Sequence, residues 1–274
     1  MGIIEKAMGR PQPDRPEPPP ASPPKRPLPV RYGDAAGLPV ASVPPIPIRA
    51  SLAYEQFPAL ARDFRFLKRP VLARVFGLSR STSKAGNLVM ITSDMPQAGK
   101  SFVSLNLGGS MASEQMTRVL LVDADPVRHT LSSRLNIDSR PGLLELLAGE
   151  VNGLGDVILP TDVPSLFVLP AGQPRANATE LYSSPRMAEI LRSLNDPDLV
   201  VILDSPPLLL SSEGRVLADI AQHTLIVVEA GRSTTSDVAA VVDLLKGTSA
   251  NISMVLNKTP IANTPRYKDY YYPY

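Results

Sequence analysis

From residue 88 onward the chain alternates between short, nearly continuous apolar runs and longer stretches in which apolar residues recur every three or four positions. The runs Leu88 to Ser93, Val119 to Asp123, Leu166 to Leu169, Leu199 to Asp204, Thr224 to Glu229 and Ile252 to Asn257 read as strands. Val119-Leu120-Leu121-Val122 and Leu199-Val200-Val201-Ile202-Leu203 lack polar alternation, which predicts strands covered on both faces, as in a parallel sheet. Helical periodicity fills the intervals at Lys100 to Glu114, Leu143 to Ala148, Ser184 to Leu194, Glu213 to Ala221 and Thr235 to Leu245. This order predicts an α/β fold with a doubly wound, mostly parallel sheet and a ligand site at the carboxyl ends of its strands. Upstream, Ser51 to Leu78 carries Leu60, Phe64, Leu67 and Val71 at helical spacing, interrupted by Pro70, with Arg62, Arg65, Lys68 and Arg69 on the opposite side.

Composition changes the picture mainly at the N-terminus. Nearly half of the 30 prolines fall in residues 1–50, in runs such as Pro18-Pro19-Pro20 and Pro44-Pro45-Ile46-Pro47. Such a segment buries too little to offset its ordering entropy, so 11–50 is expected to be a disordered linker. Residues 1–10, with Ile3, Ile4, Ala7 and Met8 on one side, read as a short docking segment. A net charge of +2 with scattered basic residues argues against a nucleic-acid partner. The absence of cysteine excludes disulfides and thiolate metal sites. No apolar run has the length of a membrane span, and no signal-peptide core is present, so a cytoplasmic location is expected. Met1-Gly2 does not make a myristoylation signal, because Lys6 stands where Ser or Thr is required.

The chemistry concentrates where strands end. Leu88 to Ile91 runs into a loop, and Gly99-Lys100-Ser101 opens a helix, which is the order of a phosphate-binding loop in a P-loop NTPase. The backbone of Met95, Pro96, Gln97, Ala98, Gly99, Lys100, Ser101 and Phe102 is expected to wrap a polyphosphate at the helix N-terminus. Lys100 is expected on the terminal phosphates and Ser101 on Mg²⁺. Asp94 stands where a glycine is usual, and a working cradle requires its side chain to turn away. Val119 to Val122 ends in Asp123-Ala124-Asp125, with Arg128 nearby, and Leu199 to Leu203 ends in Asp204-Ser205-Pro206-Pro207. A single strand-terminal Asp is usually a cap or turn residue. Three carboxylates on two strand ends, downstream of Gly-Lys-Ser, point instead to a Mg-nucleotide site, with Mg²⁺ held beside Ser101 by Asp204.

These motifs, together with a tyrosine-rich C-terminus, resemble the bacterial tyrosine kinases of exopolysaccharide loci. Gly2-Ile3-Ile4-Glu5-Lys6-Ala7 and Phe64-Arg65-Phe66-Leu67-Lys68-Arg69-Pro70 are similar to the branch linked to PEP-CTERM/exosortase clusters. The resemblance implies a P-loop kinase domain over 51–262, with an N-terminal helical region at 51–78, and an acceptor tail at 263–274. It implies ATP as the phosphoryl donor and Lys100, Asp123 and Asp125 as catalytic residues, with Asp123 taking the phenolic proton and Asp125 assisting Ser101 and Asp204 at Mg²⁺. Asn257 is similar to the adenine-contacting Asn of such folds. The tail tyrosines Tyr267, Tyr270, Tyr271, Tyr272 and Tyr274 would be phosphoryl acceptors. Gln97 and Ala98 depart from the Gly and acidic residue usual in the family's loop. Arg62, Arg65 and Lys68 occupy the positions of its Glu-x-x-Arg-x-x-Arg docking motif, and Arg65 and Lys68 are expected as contacts in a homo-oligomer.

By the same analogy, a membrane-embedded polysaccharide co-polymerase would be the activating partner, holding the protein peripherally at the inner membrane. The related positioning ATPases carry a second lysine where this chain has Met95. Two other readings stay open: an ATP-switched scaffold ATPase, and a degenerate binder that lacks catalysis.

Overall fold

The computed structural model describes residues 38–76, 86–114, 117–248 and 250–259. The expected docking segment, the first part of the expected linker and all five tail tyrosines lie outside the described residues. The elements are α1 (Ala53–Gln56), α2 (Pro58–Phe76), β1 (Leu88–Ser93), α3 (Lys100–Ala112), β2 (Arg118–Asp123), α4 (Thr130–Arg134), α5 (Leu143–Ala148), β3 (Leu159–Pro160), β4 (Leu166–Leu169), α6 (Ala178–Tyr182), α7 (Pro185–Ser193), β5 (Leu199–Asp204), α8 (Ser212–Ile220), β6 (His223–Glu229), α9 (Thr235–Leu245) and β7 (Asn251–Asn257). Serine or threonine caps start three of the helices: Ser184, Ser211 and Thr234 each accept a backbone N–H from the first turn that follows.

The sheet order is β3-β4-β2-β5-β1-β6-β7, parallel throughout except for the short β3. Each central strand sends alternate side chains to two separate cores. Met90, Leu120, Val122, Val201 and Leu203 pack with apolar residues of α5 to α9. Val89, Ile91, Val119, Leu121, Val200 and Ile202 pack with α2, α3 and α4. Burial on both faces is why these strands read as continuous apolar runs. Gly108 lets α3 approach β2 closely, since a Cβ there would lie 2.6 Å from Leu121.

The N-terminal region differs from expectation in two ways. Residues 38–50, expected to belong to the linker, are packed against the β3 edge. Ala41 N–H donates to Ile158 O, Ile46 N–H to Pro160 O, and Asp162 N–H to Ile46 O. The Asp162 carboxylate then accepts from the N–H groups of Ile48 and Arg49, and the Ile48 side chain is fully buried. The segment covers a sheet edge that would otherwise expose unpaired backbone groups. In addition, Pro70 does not interrupt α2. A proline inside a helix costs about 3 kcal/mol, and here Phe64, Val71 and Val75 offset it by burying one face of the helix on either side.

Lys68, expected at an interface between chains, is instead an internal anchor. Its side chain is only 6% exposed, and Nζ donates to Ser110 O at 2.9 Å and pairs with Glu114 at 2.7 Å. It thus meets the negative end of the α3 dipole and ties α2 to that helix. Arg65, by contrast, is exposed, as are Arg62 and Arg69. Lys68→Ala is expected to cost about 2 kcal/mol, because α2 loses both its charged bond to Ser110 O, which keeps Ser113 Oγ as a side-chain donor, and its pairing with Glu114; the shift of the urea midpoint measures this. Among the described residues no helix is long and apolar enough to cross a membrane.

Candidate active site

The loop between β1 and α3 is held from behind by the end of β7. Gly99 has φ +102°, a left-handed conformation that favours glycine, and a Cβ there would lie 2.1 Å from Asn257 Nδ2. The same amide donates to Ala98 O at 2.8 Å, and Lys258 Nζ donates to Gln97 O at 2.8 Å. Gln97 itself takes a positive φ of 65°. Asn257, expected on adenine, therefore gives its amide N–H to the loop. With these carbonyls tied back, the N–H groups of the first α3 turn stand at the positive end of a helix that is buried along nearly its whole length.

Asp94 turns away from the loop, as a working cradle requires. Its Oδ1 accepts from Ser233 Oγ at 2.9 Å, while Oδ2 is buried without a partner. Phe102 contributes only backbone to the loop region. Its ring packs 6.1 Å from that of Phe64, with the Arg134 guanidinium 5.9 Å from the ring centre.

The sheet brings the carboxylates together. Asp123 and Asp204 are directly paired at the carboxyl ends of β2 and β5, and Ile91 of β1 pairs with Asp204 on its other side. Asp204 Oδ1 accepts from Ser104 Oγ at 3.0 Å. Asp125 Oδ1 caps the following turn by accepting from the N–H groups of Val127 and Arg128. Beneath them the buried Tyr182 hydroxyl donates to Ala124 O at 3.2 Å. Lys100 is buried, and burial lowers its pKa, while Asp204, Asp125 and Asp94 oppose that shift. Asp204, Asp125 and Asp94 thus lie within electrostatic reach of the loop lysine.

Two of the acids are strongly perturbed. Asp204 is pushed up to about 7, first by burial and then by the neighbouring charge of Asp123, with Ser101, Lys100 and Ser104 acting the other way. Asp123 is pushed up to about 6 by burial, with the N–H and hydroxyl of Ser132 opposing the shift. Two buried carboxylates on adjacent strands beside one lysine make a site that favours an added cation. The sequence reading missed Ser104 and Ser132. Ser104 was detectable, since it lies one helical turn beyond Ser101 on the same face of α3. Ser132 carried no signal, because the five-residue α4 is too short to show periodicity.

Comparison with known proteins agrees with this geometry. A family model described as AAA domain matches residues 89–257. The tyrosine-protein kinase ptk of Acinetobacter johnsonii is 37% identical over 53% of this chain, which covers 20% of that protein. The chain spans about a quarter or less of the curated relatives it matches. The solved kinase domain of Escherichia coli tyrosine kinase ETK is 32% identical, with a TM-score of 0.60 over 65% of this chain and 70% of that domain. The septum site-determining protein MinD of Pyrococcus horikoshii, solved with Mg-ADP, is 26% identical, with a TM-score of 0.52 over 62% of this chain and 69% of that one. The family match spans more than half of the chain, and the kinase-domain match spans more than two thirds of its counterpart; the chain belongs to the AAA-domain proteins and, among them, to the bacterial tyrosine kinases.

Proposed function

We propose that this chain transfers the γ-phosphoryl group of ATP to tyrosine hydroxyls, its own tail tyrosines among them, and that this controls exopolysaccharide synthesis or export. The observation that carries the reading is the Asp123–Asp204 pair at adjacent strand ends, with Asp204 in turn within electrostatic reach of Lys100. Kinship with solved tyrosine-kinase domains supports the choice of acceptor.

The residues present fit Mg²⁺. Ser101, Asp204 and Asp125 offer only hard oxygen donors, and Mg²⁺ takes one or two carboxylates together with substrate phosphates and water. When bound, it neutralises charge on the β and γ oxygens. Lys100 and the first-turn N–H groups of α3 bind the same oxygens and orient the γ-phosphorus. As the phenolic oxygen forms its bond to that phosphorus, the bond to the β–γ bridging oxygen breaks, and ADP leaves with the electron pair. The phenolic proton passes to Asp123, a buried carboxylate whose raised pKa suits it to the task.

Phosphates added to neighbouring tail tyrosines bring roughly −1.5 to −2 charge each. Repulsion from the acidic site then releases the tail. By family analogy, the activator is a membrane-embedded polysaccharide co-polymerase, the protein sits peripherally at the inner membrane, and copies associate through the exposed Arg65 rather than the buried Lys68.

One observation favours a second reading, an ATP-switched positioning ATPase: the fold is also similar to that of MinD. Incubation of the full chain with γ-labelled ATP and Mg²⁺ separates the two. Label recovered as phosphotyrosine is the expected result, and free phosphate alone overturns the kinase reading.

A further inference from the structure

Asp123 is held in an unusually asymmetric way. Its Oδ2 accepts two short hydrogen bonds, from Ser132 N at 2.8 Å and from Ser132 Oγ at 2.7 Å. Its Oδ1 accepts only one long bond, from Asp125 N at 3.3 Å. The direction of the serine hydroxyl is fixed as well. Ser132 Oγ accepts the N–H of Ala171 at 3.1 Å, so its own proton is left for Asp123.

Ala171 is itself immobilised. Its carbonyl accepts from Leu144 N, and the neighbouring Pro170 O accepts from Leu143 N. Glu145 ties the same turn by accepting from Gly142 N and Gln173 N. There is no slack at this junction, since a Cβ on Gly142 would lie 2.1 Å from Pro170 O. Asp123, Ser132 and Ala171 are all buried, so water does not replace any of these partners.

We propose that Ser132 is the positioning residue for Asp123: it saturates Oδ2 and pins the carboxylate from α4, leaving Oδ1 as the oxygen available to the substrate. The inference deepens the kinase reading and rests on it for its catalytic meaning. Ser132 touches neither nucleotide nor phenol. Its effect passes entirely through the orientation of Asp123, and rigid support of this kind decides how well a reacting group is placed.

The test uses Ser132→Ala and Ser132→Thr in the full chain. Ser132→Ala is expected to lower kcat for tyrosine phosphorylation on the order of 10- to 100-fold, with the KM for ATP unchanged. Ser132→Thr, which keeps the hydroxyl, is expected to restore most of the loss. Crystal structures of the alanine variant should show the Asp123 carboxylate rotated or split between orientations. A kcat within about twofold of the parent, an equal rise in KM for ATP, or an unchanged single Asp123 orientation overturns the proposal. If the parent protein labels no tyrosine, the kinase reading falls, while the orientation of Asp123 still decides the role of Ser132.

Discussion

Lys100→Met is expected to reduce tyrosine phosphorylation on the order of 10³-fold while the protein remains folded. Methionine nearly matches the apolar length of lysine, so the pocket around this 7% exposed side chain stays filled. What disappears is a positive charge within reach of Asp204, Asp125 and Asp94, in surroundings dry enough to lower the lysine's own pKa. A charge in such a place acts on transferring phosphoryl oxygens with little screening. The ligand-free fold is spared, because burial already raises the pKa of both acids, and Asp204 takes up a proton more readily still once the lysine is gone. Label incorporation should fall, and melting should stay cooperative. Full activity in this variant would remove the mechanism.

Much of the architecture was legible because its causes are local. Leu199 to Asp204 is a strand in sequence and in space, since burial on both faces demands an unbroken apolar run. The Gly99-Lys100-Ser101 turn and the Asp at each strand end were visible for a similar reason: loop conformation and phosphate chemistry restrict those positions residue by residue. The failures share the opposite cause. Ile46 and Ile48 lie among prolines, and their burial depends on Asp162, more than a hundred residues away, which ties down the backbone beside them. Lys68 looked like one of four basic residues on a solvated face, and only the α3 C-terminus packed against it shows why it is buried. The bond from the Asn257 amide to Ala98 O was equally invisible, because it depends on the return of β7 beside the loop. Contacts between distant segments leave no periodic trace.

Asp204→Asn is expected to separate activity from stability. Phosphorylation should fall on the order of 10²-fold or more, because the site loses a carboxylate that balances the metal and the lysine. Yet the ligand-free protein should melt higher than the parent at pH 8. In the folded state the Asp204 carboxyl is pushed from the ordinary 3.8 up to about 7, by burial and then by Asp123. The folded chain therefore binds this proton more tightly than the unfolded chain, and the associated stability is present at low pH and is lost as pH rises from about 4 to about 7. At pH 8 the parent holds a charged carboxylate in a dry site beside another. Asparagine carries no charge, still accepts from Ser104 Oγ, and offers N–H donors toward the Asp123 side. The gain should be on the order of 1–3 kcal/mol at pH 8, a few degrees of melting temperature, and clearly smaller at pH 5. ATP with Mg²⁺ should raise the parent's melting temperature by mass action and raise the variant's less. A variant that melts lower at pH 8, or whose difference from the parent is flat between pH 5 and pH 8, would show that the buried pair is not held at an electrostatic cost that nucleotide and metal relieve.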